Sequence, residues 1–244
     1  VVQQKTDIIR QLEKDILPLQ GFKPPAGNVT RIGLGAIEYA FPNTVFPTGA
    51  LHEMLYTGNE AFSATGGFIA AVLNKLVKTN GTCLWLGSAV NIFPPALAAF
   101  GIAAERIIFV TPQKEKDLLW LMEEALKCEG LTAVVGEIKN IDFKASRRLQ
   151  LAVEQSGVTG FVLRNSAGRV NTIACIARWK ITPLASDGET PGVGFARWNA
   201  ELLKVRNGKP GTWQIEWNAG RFQIIQPAKQ PIWLNVSSQY GSAI

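Results

Sequence analysis

Apolar and polar residues follow two different rhythms along this chain. Between residues 50 and 165, short apolar runs alternate with longer stretches of helical spacing. The runs at 51–56 (LHEMLY), 82–86 (TCLWL), 106–110 (RIIFV), 132–136 (TAVVG) and 160–164 (GFVLR) are strand-sized and almost continuously apolar. Such runs mark strands covered on both faces, as in a parallel sheet. Helices are predicted between them near 64–78, 95–100, 114–128 and 144–156. Alternating β and α elements with right-handed crossovers imply a doubly wound α/β core. Beyond residue 165 the pattern changes. Stretches 173–183, 198–206, 212–218 and 221–226 predict antiparallel strands, with turn signals at Asp187-Gly188, Asn207-Gly208 and Ala219-Gly220. Residues 185–194 (ASDGETPGVG) predict a mobile loop.

The two ends read differently. Residues 6–17 (TDIIRQLEKDIL) place Ile8, Ile9, Leu12 and Ile16 on one face of a helix that Pro18 stops. That apolar face calls for a surface to dock on, its own or another molecule's. Residues 19–28, with Gly21, Pro24, Pro25 and Gly27, read as a linker. The expected organisation is helix and linker over 1–28, an α/β core over 29–226 whose β extension spans about 173–226, and a tail over 227–244. The tail has no clear pattern and is left as a tail, an edge strand or a partner-binding arm.

Composition narrows the class. The 244 residues are 47% hydrophobic and 18% charged, which supports a substantial core and argues against disorder. No apolar run is long enough to span a bilayer, and no basic-then-apolar leader opens the chain, so a cytoplasmic protein is expected. Cys83, Cys128 and Cys175 are widely spaced and odd in number, as expected of small core residues in a reducing compartment. His52 is the single histidine, which excludes a histidine-based metal site; it reads as a satisfied core residue. Charge is unevenly placed. Residues 1–137 carry 11 basic and 13 acidic side chains, whereas residues 138–244 carry 14 and 6. The basic half points to an anionic partner, weak nucleic-acid binding being the common case, or to a solvated basic surface.

The chemistry is most legible around residue 57. Strand 51–56 is followed by a glycine-bearing turn, 57–67 (TGNEAFSATGG), and then by helical spacing. Strand, glycine loop and helix is the arrangement that cradles phosphates, because backbone N–H groups and the helix N-terminus favour anions. Thr57, Gly58, Asn59, Glu60, Ser63, Thr65, Gly66 and Gly67 would line such a loop. A working loop ends in Gly-Lys-Ser/Thr, the lysine reaching the outer phosphates and the hydroxyl holding Mg²⁺. Here the nearest lysine, Lys75, lies two predicted turns into the helix.

Residues 31–58 (RIGLGAIEYAFPNTVFPTGALHEMLYTG), and 46–54 above all, resemble the lead-in and first core strand of the RecA ATPases. Glu53 matches an acidic position of that strand. With 83–86 (CLWL), 119–126 (LWLMEEAL), 145–164, 191–194 (PGVG) and 210–217 (PGTWQIEW), the chain is similar to the ImuA-like branch of the RecA superfamily over roughly residues 1–225. The resemblance implies a RecA-like, mainly parallel sheet with helices on both faces, followed by antiparallel strands.

Against an active RecA-type ATPase several groups are missing. Besides the loop lysine and hydroxyl, no carboxylate occurs at 86–91 (LGSAVN), where the water-activating glutamate would stand. Glu137 is the candidate for a residual metal carboxylate, and Arg164-Asn165 replaces the sensor glutamine. Hydrolysis needs positioned charge around the γ-phosphate, so no catalytic residue and no cofactor are expected, ATP with Mg²⁺ included. The family's two DNA-binding loops would be 138–144 (IKNIDFK) and 165–172 (NSAGRVNT), too short to spread bases apart. Contacts to DNA or to an acidic partner are expected from Arg147 and Arg148 on a helix, and from Arg164, Arg169 and Arg178 near the loop end of the sheet. Trp179, Trp198, Trp213 and Trp217 are expected to pack a small C-terminal sheet against the core, with base stacking as the alternative; Trp233 would anchor a partner.

The function implied by resemblance is a non-catalytic accessory of DNA-damage-induced mutagenic translesion synthesis in bacteria. It would scaffold an inactive Y-family polymerase-like protein together with an error-prone polymerase, and with RecA, at the nucleoid when acting. The alternatives are a weak ATPase, a DNA-binding modulator of RecA filaments, and a regulator of SOS-linked cell division on the same fold.

Overall fold

The computed structural model describes residues 8, 11–12, 31–77, 81–87, 93–168, 170–186 and 194–225. Ile8, Gln11 and Leu12 lie in a helix, with Ile8 and Leu12 exposed; the rest of the expected N-terminal helix, the linker, Arg169, the stretch 187–193, Trp233 and the tail fall outside the described residues.

Nine strands form one sheet. They are β1 Leu51–Tyr56, β2 Cys83–Leu86, β3 Ile107–Val110, β4 Ala133–Glu137, β5 Thr159–Asn165, β6 Ala177–Leu184, β7 Ala196–Val205, β8 Gly211–Asn218 and β9 Arg221–Ile224. Their order is β3-β2-β4-β5-β1-β6-β7-β8-β9. Pairing is parallel from β3 through β6 and antiparallel from β6 to β9. The helices are α1 Gly58–Leu76, the short α2 Pro94–Leu97, α3 Glu115–Leu126 and α4 Phe143–Ser156.

Alternation along the strands builds two cores. On one face, Met54, Trp85, Val135, Phe161, Leu163 and Trp179 pack against Phe68, Ile69, Val72 and Leu73 of α1. On the other, Leu51, Leu86, Val134 and Val162 pack against Leu118, Met122 and Leu126 of α3 and Leu149 and Val153 of α4. The sheet therefore carries helices on both faces, and no helix of the described residues is long and apolar enough to cross a membrane. Gly157 closes α4 with φ +76, a left-handed value that suits glycine, and Asp142 caps its other end by accepting from the Ala145 N–H at 2.6 Å.

Two expectations are corrected here. The C-terminal strands do not make a separate small sheet. β6 pairs in parallel with β1 (His52 opposite Ala177, Leu55 opposite Lys180), so β7–β9 extend the main sheet. Their inward residues Trp198, Ala200, Leu202, Ile215 and Trp217 join the α1-side core. Cys83 and Cys175 are buried as expected, but Cys128 is exposed.

His52 sits at the centre of the α1-side core, fully buried. Phe46 stacks on its ring at 4.4 Å between centroids, and Phe161 lies at 5.4 Å. Its Nε2–H donates to the Pro47 carbonyl at 2.8 Å, while Nδ1 accepts from the Trp179 indole N–H at 3.4 Å. A second proton would set two N–H groups against each other in an apolar site. Burial thus pulls the imidazole down to about 4 from 6.5, partly opposed by the bond to Pro47. In the unfolded chain the ring takes up its proton near 6.5, so its contribution to stability is complete above that pH. It is lost as pH falls from 6.5 to about 4. Denaturant unfolding at pH 7 and pH 4 should show the wild type losing about 3 kcal/mol more than His52→Gln. Equal losses would show that the ring does not titrate across folding.

Candidate functional site at the C-terminal ends of the strands

The stretch expected to form a phosphate loop is helix. Only Thr57 separates β1 from α1, which begins at Gly58 rather than near residue 64. Gly58 makes the turn with φ +81. Asn59, Glu60 and Ser63 lie exposed on the first turns, whereas Thr65, Gly66 and Gly67 are buried inside the helix. The Thr65 hydroxyl donates to the Ala61 carbonyl at 2.7 Å, a helix-internal bond. The Thr57 hydroxyl lies 2.9 Å from that of Ser166 and makes no helix cap. Lys75 stands in the last turn of α1, its ammonium 5.6 Å from the centre of the Trp217 ring. Gly67 is a packing glycine, because a Cβ there would lie 2.8 Å from Phe100 and 3.4 Å from Trp198. Glu60, Ser63 and Gly67 instead border a groove of about 360 Å³ beside Phe195, Arg197 and Trp198.

Glu137 ends β4 on the α1 side of the sheet. It accepts from the Trp85 indole N–H at 3.1 Å and lies against Gly87, where a Cβ would approach its carboxyl carbon to 2.3 Å. Its charge, after burial, helps hold the Tyr56 hydroxyl above its usual range.

On the other side of β1 lies a buried ionic cluster that sequence reasoning had not assembled. Glu53 is completely buried. Arg164 of β5 donates to one of its carboxylate oxygens at 2.6 Å and Arg178 of β6 to the other at 2.5 Å. Arg164 also donates to the Asn171 side chain at 2.6 Å, and Asn171 donates onward to the Ile141 carbonyl at 2.8 Å. Arg178 donates to the Asn171 backbone carbonyl at 3.1 Å. The Cys175 thiol lies 3.8 Å from Glu53 and is pushed up to about 12 by burial first and by that carboxylate second. The signal in the sequence was a carboxylate inside an apolar strand, which needs a partner. Asn171 gave no signal of its own.

This cluster corrects the arginine assignments. Arg164 is 5% exposed and Arg178 is part-buried, and both are engaged with Glu53 rather than turned outward toward phosphates. Arg147 and Arg148 are exposed on α4, where Arg148 pairs with Glu123 of α3 and Arg147 lies 3.8 Å from Glu154. Arg169 is outside the described residues.

Above the cluster the β4–α4 connection and the segment after β5 face each other across a cleft of about 610 Å³. Its lining includes Lys139, Asn140, Asp142, Arg164, Asn165 and Asn171. Asn171 ties the two segments together and, through Arg164, ties both to the sheet.

Two substitutions test this geometry. Glu53→Gln strands a buried guanidinium and should cost about 3–5 kcal/mol in denaturant unfolding; a change under 1 kcal/mol would deny the cluster its place. Gly66 is helical with nothing within 4 Å of its Cβ position. Gly66→Ala should therefore raise stability by about 0.5–1 kcal/mol, whereas a non-helical loop glycine would give a loss.

No protein-family model matches the chain. Two curated proteins do resemble it: Protein ImuA of Caulobacter vibrioides strain NA1000 / CB15N and Protein ImuA of strain ATCC 19089 / CIP 103742 / CB 15. Each is 34% identical over 203 residues, which cover 77% of this chain and 83% of the relative. With that identity over most of both chains, the protein belongs to the ImuA family.

Proposed function

We propose that this chain is a RecA-like accessory protein without ATPase activity that serves DNA-damage-induced mutagenic translesion synthesis by scaffolding. Its partners in this reading are an inactive Y-family polymerase-like protein and an error-prone polymerase, with RecA as a further contact. The observation that carries it is the state of the phosphate site. α1 starts one residue after β1, so from Phe62 onward the N–H groups of the stretch are taken up in helical bonds, and only those of the first helical turn lie outside that ladder. The lysine is remote at position 75, the Thr65 hydroxyl bonds within the helix, the Thr57 hydroxyl lies against that of Ser166, and Glu137 is engaged with Trp85. A triphosphate would meet no clamp of the kind phosphoryl transfer needs. A fold of this size retained without that chemistry is most useful as a binding surface. Action in the cytoplasm, at the nucleoid, follows from the same reading.

Calorimetric titration with ATP and a non-hydrolysable analogue in Mg²⁺ should give no heat. Co-expression with the polymerase-like partner should give a stable complex that is lost on deleting residues 1–20 or 226–244. Magnesium-dependent turnover abolished by Glu137→Gln would overturn the non-catalytic reading. A complex indifferent to both deletions would overturn the assignment of the ends as docking elements.

A further inference from the structure

The groove of about 360 Å³ beside the start of α1 is lined by groups that suit a cation better than a phosphate. Trp198, 3% exposed, and Phe100 both line it, stacked 6.0 Å apart and 26° from parallel, in space that Gly67 leaves free. Pro183 and Leu184, at the end of β6, add an aliphatic wall. Phe195, the residue before β7, lines the groove as well and is 52% exposed. An exposed ring that continues a buried aromatic floor marks a surface with room for an apolar group.

Charge narrows the occupant. Glu60 stands exposed on the first turn of α1 and lines the groove. Among the described residues it has no ion pair. Arg197, the cation of the lining, is held by Glu216 at 2.7 Å. Between Ser186 and Gly194, which both line the groove, the sequence adds Asp187 and Glu189 and no basic residue.

These groups favour one ligand chemistry. A phosphate brought to the groove would meet an unneutralised carboxylate, and that carboxylate already complements the positive end of α1. A guanidinium or ammonium group would meet the same carboxylate and the faces of aromatic rings. The methylene stem of an arginine or lysine packs on apolar surface such as that of Pro183 and Leu184 while its head stays in contact with polar groups.

We propose that this groove docks a basic segment of a partner protein, one arginine or lysine of the segment lying against Phe195 and reaching Glu60. The proposal rests on the scaffolding reading for the partner being a protein, and it names the surface that receives it. It also gives the helical form of the stretch after β1 a use. With α1 beginning at Gly58, Glu60 and Ser63 stand one turn apart and both line the groove.

The test is to pan a random twelve-residue peptide library, displayed on phage, against the full chain and to titrate the enriched peptides by fluorescence anisotropy. The enriched sequences should carry arginine or lysine. Phe195→Ala and Glu60→Gln should each loosen their binding about five- to tenfold with unchanged thermal melts. Glu105→Gln, at an exposed carboxylate just before edge strand β3, should leave it unaltered. No enrichment, enriched peptides that are acidic or uncharged, or binding that both groove variants leave intact overturns the proposal. Displacement of the peptides by ATP with Mg²⁺ overturns it too, since the groove is then a nucleotide site. Co-expression of the same two variants with the polymerase-like partner separates this proposal from the scaffolding reading. A complex undiminished by both variants refutes the groove alone, whereas basic peptides that bind through Phe195 and Glu60 while no complex forms uphold the groove and refute the assigned partner.

Discussion

The structure depends on one buried carboxylate. Glu53 lies in the central strand, and its two oxygens are met by arginines from the strands on either side, Arg164 of β5 and Arg178 of β6. Neither partner is near it in sequence, so the pairing forms only when β1 enters between β5 and β6. Replacing such a cluster with apolar residues need not weaken a protein, but breaking it strands a charge in a dry site. The cluster thus penalises any other strand order more than it stabilises this one. Through Arg164 and Asn171 it also sets the two connections that form the cleft.

The opposite face of the same strand shows the complementary solution. His52 is held neutral between a carbonyl and an indole N–H and is stacked among aromatic rings. One polar side chain on this face is satisfied without charge, and its neighbour on the other face is satisfied with charge. The period of two along β1 separates them. The α1-side core then grows across β6–β9 through Trp179, Trp198 and Trp217. This continuity explains why the C-terminal strands extend the sheet instead of folding apart from it.

The phosphate-loop stretch shows how a sequence motif and a backbone come apart. Glycines at 58, 66 and 67, together with small polar residues, look like a loop because such residues disfavour helix. In the fold all three lie in α1, Gly58 as its first residue, and Gly67 admits Phe100 and Trp198 where any side chain would collide. Close packing offsets a helix penalty of about 1 kcal/mol for glycine. A loop bearing the Gly-Lys-Ser/Thr ending has a ligand to stabilise its open backbone; this stretch lacks that ending and is helical from Gly58 onward.

The sequence by itself determined the local elements. Every strand from β1 to β9 and the helices α1, α3 and α4 were legible from apolar period and turn residues, because those patterns report burial of one face or two. It also made visible the missing lysine and the asymmetry of charge. What only the tertiary structure decided was the company each charged residue keeps. Arg164 and Arg178 looked like phosphate ligands because a cation at a strand end gives no sign of a carboxylate more than a hundred residues away. The helical start of α1 and the junction of β6 with β1 escaped for the same reason. Each is settled by contacts between distant parts of the chain, and local pattern carries no record of those.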